Sequence, residues 1–221
     1  MKYPNPFSRD AERSARSHMP PAVHPEWEAF VSAIVAEPDD DTPRLVAADW
    51  LDEHGDADRA AFIRTQVELA RLEALDPRSV DVDRLRAKER AFLGPLSICR
   101  GLWGAADCPQ LVRMKPPERG AALVGMGFTG EDRVVFRRGF VETVIVPAVD
   151  WLHHGAAVRA RNPVLRVVLQ DCARATRDQW YQMMGSGALI GLRSLILEGA
   201  TGSTHEWLRG FLPGTDVEAI S

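Results

Sequence analysis

From residue 25 onward, apolar residues recur at helical spacing. In PEWEAFVSAIVAE, Trp27, Phe30, Val31, Ile34 and Val35 fall on one side of a helix. Glu26 and Glu28 stand near its start, where the helix dipole favours acid, and Pro38 ends the pattern. A second helix is expected from Thr42, a residue type that caps helix starts, with Pro43 in the first turn. Leu45, Ala48 and Leu51 form its apolar side, widened by Val46, Ala47 and Trp50. Gly55 has the residue type of a C-terminal stop, and Asp56 is placed to cap the next helix. That helix carries Ile63, Val67, Ala70 and Ala74 on one stripe, with Phe62, Leu69 and Leu72 beside it. A shorter helix is expected over Val82 to Leu93, so residues 25–96 read as a helical domain with short connections.

Residues 1–24 mix proline, serine and charge with little apolar periodicity, the composition of a flexible arm. Between Ser97 and Glu131 no periodicity places an element. In DRVVFRRGFVETVIVPAV, β-branched residues predict two strands turning near Arg138 and Gly139. Residues 97–140 therefore read as an irregular linker ending in a β-hairpin.

The rest of the chain carries a repeat. VETVIVPAV from Val141, VLRVVLQDC from Val164 and LRSLILEGA from Leu192 share apolar residues at their first, fourth and sixth positions. These are Val141, Val144, Val146; Val164, Val167, Leu169; and Leu192, Leu195, Leu197, with a fourth start at Val217 and Ile220. The starts are 23, 28 and 25 residues apart, within the period of leucine-rich repeats. A helical segment follows each of the first three, and strand plus helix at this period is one coil of a solenoid. Cys172 occupies the ninth position of its unit, where such repeats take Asn or Cys. The fold class expected is α+β or α/β repeat: a helical N-terminal domain and, over residues 141–221, a short irregular leucine-rich-repeat-like solenoid.

Two segments carry a family resemblance. AEPDDDTPRLVAADWLDEHGDADRAAFIRTQ resembles the bacterial repeat-companion domain, a helical module that precedes degenerate leucine-rich repeats, and FRRGFVETVIV resembles the segment joining module to repeats. The resemblance spans roughly Glu26 to Leu197 and implies an interaction-type protein with no catalytic residues to carry over. Solenoids need a polar cap at each end, and Val217 to Ile220 leaves no room for one. The expectation is therefore either that the last coil is covered by the helical domain, a partner or a second copy, the last making a homo-oligomer through that edge, or that the edge is frayed in isolation.

Composition narrows the chemistry. Among 221 residues with 45% hydrophobic content, no apolar run is long enough to span a bilayer, and residues 1–25 lack a signal-peptide core. A cytoplasmic location is the expectation. Cys99, Cys108 and Cys172 have no zinc-site spacing and no disulfide framework, and the glycines of GMGFTG lack the lysine of a phosphate loop. No cofactor is implied. With a net charge of −4 and only three lysines, the arginine content reads as a compositional habit, and nucleic acid is a disfavoured partner.

Four groups of residues are candidates for chemistry or binding. Asp49, Asp52 or Glu53, and Asp56 share a helix side, with His54 adjacent, so Asp49, Glu53 and His54 could serve a metal-dependent hydrolase. The structural alternative has Asp56 capping a helix and Arg44, Arg59 and Arg64 pairing with the carboxylates. His153 and His154 point roughly 100° apart on a helix and do not share an ion. Arg133, Arg137, Arg138, Arg159, Arg161, Arg166, Arg174 and Arg177 could hold phosphates or an acidic partner if they share a face. Trp151, Trp180 and Trp207 each fall in the helical part of a different repeat, either as core or as interface anchors. The function expected is therefore a non-catalytic adaptor or regulator, an inhibitor being one form, that docks on a partner protein, such as an enzyme it regulates. Its candidate contact residues are Trp151, Trp180, Trp207, Arg137, Arg138, Arg159 and Arg161. The alternatives are a nucleic-acid accessory protein and the hydrolase.

Overall fold

The computed structural model describes residues 25–93 and 134–220. The expected arm, most of the linker, Cys99, Cys108, Arg133 and GMGFTG lie outside the described residues. The protein is a mixed α+β fold, with helices in its N-terminal part and a five-stranded mixed sheet in its C-terminal part. It divides into two compact units, and the hairpin turn Arg137–Phe140 belongs to the helical one.

In the helical unit, α1 (Pro25–Ala36), α2 (Thr42–Glu53), α3 (Ala57–Leu75) and α4 (Val80–Leu93) follow one another through short connections. Val31 and Ile34 of α1, Ala47, Ala48, Trp50 and Leu51 of α2, and Ala60, Ile63 and Val67 of α3 form one core with Phe140. Trp27 and Phe30 pack against it, Trp27 stacking on Phe140 with ring centroids 6.0 Å apart. Two details correct the sequence reading. The residue capping α2 is Asp41, Thr42 being already helical, and the Thr42 N–H donates to Asp40 Oδ1 at 2.9 Å. That hydrogen bond holds the Asp40 carboxyl below its ordinary range. The inward face of α2 is Arg44, Ala47, Ala48 and Leu51, leaving Leu45 and Val46 exposed, as is Val35 of α1.

The α2–α3 joint follows its sequence signals closely. Gly55 has φ +87°, Asp56 N–H donates to Leu51 O at 2.8 Å, and Gly55 N–H donates to Asp52 O at 3.3 Å. This is a Schellman ending, which satisfies carbonyls that the helix itself cannot. Asp56 Oδ1 then accepts from Arg59 N–H at 3.1 Å and caps α3.

The second unit is built on β1 (Val134–Arg137), β2 (Phe140–Pro147), β3 (Arg166–Gln170), β4 (Ser194–Glu198) and β5 (Asp216–Ile220), in that spatial order. Helices α5 (Ala148–Arg159), α6 (Arg177–Gly185) and α7 (Gly202–Phe211) separate the last four strands, which are parallel. Parallel neighbours require such crossovers, whereas β1 joins β2 by the two-residue turn Arg138-Gly139, both at positive φ, as tight hairpins demand.

Strand register lines up the repeat positions. Val144, Val167, Leu195 and Val217 form one row, and Val146, Leu169, Leu197 and Ala219 another. Val217 is therefore a fourth-position residue and not a repeat start, and Ile220 pairs with Glu198. The register rows are thus 23, 28 and 22 residues apart. The alternate face carries Ile145, Val168 and Ile196, a separate buried cluster with Ile220 beside it. Burial on both faces is why these strands read as continuous apolar runs.

Candidate functional site

The acidic joint forms ion pairs and caps and does not converge on a point. Arg64 of α3 reaches back to α2, with Nη2 2.6 Å from Asp49 Oδ1 and Nη1 2.5 Å from Asp52 Oδ2, and these bonds raise its pKa. His54 stacks on Trp50, ring centroids 3.9 Å apart, with Nδ1 2.7 Å from the Trp50 carbonyl. Among the described residues, no three His, Cys, Asp or Glu side chains gather as a metal site would require. The rings of His153 and His154 are 6.3 Å apart and tilted 65°.

The polar centre of the helical unit lies elsewhere, around the hairpin turn. Arg44 and Arg59 are fully buried, each guanidinium 6.0 Å from the Phe140 ring centroid. Arg59 Nη2 donates to Gly139 O at 2.9 Å, while Gly139 N–H donates to Gln66 Oε1 at 2.7 Å. Ile63, between them on the same face of α3, touches Gly139 so closely that a Cβ there would lie 2.4 Å from Ile63 Cγ1. Arg138 completes the clasp, 3.6 Å from Asp41 and 3.8 Å from Asp39. This arrangement holds a backbone turn in place and leaves no room for a substrate at Gly139.

The candidate contact residues separate by burial. Trp151 and Trp180 are core residues at 0% and 2% exposure, which corrects their reading as surface anchors. Gly155, one turn after Trp151 on α5, makes room for that indole, and Trp151 Nε1 donates to Ala188 O at 3.3 Å. Arg159 donates to the carbonyls of Gly187 and Ile190, and burial lowers its pKa. Arg138 and Arg159 thus bind their own chain. Arg137, Arg161 and Arg166 are exposed, while Arg174 pairs with Asp171 at 3.6 Å.

Trp207 is different. Half-buried on α7, it meets Tyr181 of α6 edge to face at 5.0 Å and Phe211 at 5.2 Å, and the latter two are 45% and 55% exposed. The Arg177 guanidinium sits 5.8 Å from the Tyr181 ring and 5.9 Å from that of Trp207. Helix caps fix both sides of this patch: Thr176 and Gln179 form a reciprocal capping box at α6, and Thr201 Oγ1 accepts from Thr204 N–H at α7. Sequence reading singled out Trp207 and Arg177 but missed Tyr181 and Phe211. The available signal was the four-residue spacing of Arg177 to Tyr181 and Trp207 to Phe211, which puts each pair on one helix face.

No protein-family model, curated protein or solved structure matches the chain.

Proposed function

We propose that this protein is a non-catalytic protein-interaction protein, an adaptor or regulator, in which a helical repeat-companion-type domain precedes a short leucine-rich-repeat-like solenoid. The observation that carries this reading is the register of the parallel strands. Val144, Val167, Leu195 and Val217 stand side by side, and a helix separates each strand from the next. Consecutive strand-and-helix units stacked in sequence order are the building principle of solenoids, whose extended surfaces serve to bind other macromolecules. The repeat turn supports the same reading: Cys172 is buried and its Sγ–H donates to Leu169 O at 3.2 Å, the backbone-satisfying role of a ninth-position residue. The resemblance of residues 36–66 to the repeat-companion domain adds the identity proposed for the helical unit.

The test is cross-linked affinity capture from lysate of the source organism, followed by calorimetric titration of the purified chain with each protein recovered. A saturable one-to-one complex is the expected result. Failure of every recovered protein to bind the purified chain would sink the adaptor reading.

A further inference from the structure

We infer that the surface formed by Arg177 and Tyr181 on α6 and by Trp207 and Phe211 on α7 docks a peptide segment that carries a carboxylate beside an apolar side chain. This inference rests on the adaptor reading and supplies its contact surface. Three aromatic rings within about 5 Å of their neighbours form one patch, and two of them are about half exposed. Aromatic residues and arginine are the types most enriched at binding hot spots, the rings because they bury much area while losing little freedom.

Arg177 decides what the patch fits. Its guanidinium is exposed, lies near two rings and makes no ion pair with a described carboxylate. A guanidinium held near aromatic rings is pre-organised and keeps N–H donors for a bidentate carboxylate. Charge complementarity therefore asks the partner for one acidic group, and the exposed Tyr181 and Phe211 rings ask for an apolar neighbour to it. Asp178 and Glu206, exposed on the same two helices, disfavour a polyanionic strand such as nucleic acid.

The probe is a phage-displayed library of random peptides panned on the full chain, with enriched sequences synthesised, labelled and titrated by fluorescence anisotropy. Enriched peptides should carry Asp or Glu within a few residues of Phe, Trp or Leu. Arg177→Glu should weaken binding by about tenfold or more with the melting transition unchanged, and Trp207→Ala should do so at a temperature where the variant is still fully folded. Replacing the peptide's acid by lysine should restore affinity for Arg177→Glu alone, an outcome that disturbed folding cannot mimic. Enriched peptides without an acid, equal binding to the variants, or no enrichment would each overturn the inference. So would a Trp207-dependent dimer in sedimentation, or a Trp207-dependent complex with labelled oligothymidylate. A natural partner that binds wild type and Trp207→Ala equally well would leave the adaptor reading standing and remove only this surface.

Discussion

The helical unit and the sheet unit organise their interiors in opposite ways. At the centre of the first, two buried guanidinium groups flank Phe140, and one of them holds a glycine carbonyl. The second has an apolar ladder in which the same positions recur from strand to strand. Directional hydrogen bonds admit one arrangement, because a buried polar group without its partner costs about 1–3 kcal/mol. A ladder of Val and Leu aligns the strands and tolerates variation in the chain between them, as row spacings of 23, 28 and 22 residues illustrate.

Four measurements test that contrast. The largest effect is expected of Leu195→Asp, which puts a charge into the fully buried row of β4 and should cost about 4 kcal/mol or more in urea denaturation. A wild-type midpoint would mean that the register is misassigned. Gly139→Ala should cost about 3 kcal/mol, since it combines an unfavourable φ of +85° with a collision against Ile63. Gly55→Ala is its control: it has a similar φ but no atom within 4 Å of the new Cβ, and should cost about 1 kcal/mol. Equal losses at the two glycines would remove the clasp as a specific feature.

The third measurement concerns Cys172, whose thiol burial pushes up to about 12 from an ordinary 9.0. Above pH 9 the unfolded chain releases this proton while the folded one retains it, so stability falls as pH rises from about 9 toward 12. At pH 10 the loss relative to Cys172→Ala should be about 1 kcal/mol. Parallel pH profiles for the two proteins would contradict it. The smallest effect is expected of Arg64→Ala: its pairs with Asp49 and Asp52 are exposed and should contribute about half a kcal/mol, screened by salt. A loss several times larger would make the joint as stringent as the clasp.

Local signals were legible in the sequence, and long-range ones were not. Gly55 and Asp56 announced the α2–α3 joint because the groups they satisfy lie within five residues of them. The repeat positions announced the strand rows, except the last: Val217 carries a valine at either register, and only pairing with Leu195 decides between them. Arg44 and Arg59 read as ion-pair partners for the carboxylates of the joint, because charged residues are seldom fully buried and the Phe140 ring they face lies far along the chain. The apolar side chains of Leu45 and Val46 were assigned to the core for the converse reason, since α2 turns its arginine inward instead. Among the three tryptophans the sequence offered no means of distinguishing Trp151 and Trp180, both buried, from Trp207.

The clasp also sets an order of events during synthesis. Arg59 and Gln66 hold a glycine that lies 80 and 73 residues later in the chain. A nascent chain carrying α1 to α4 outside the ribosome still lacks Phe140, so the core of its first unit has a hole and two cations have nothing to enclose. Helices can form early, but their final packing must wait for the hairpin to be translated, and a stalled or truncated product exposes that unfinished interior to the cell's quality control.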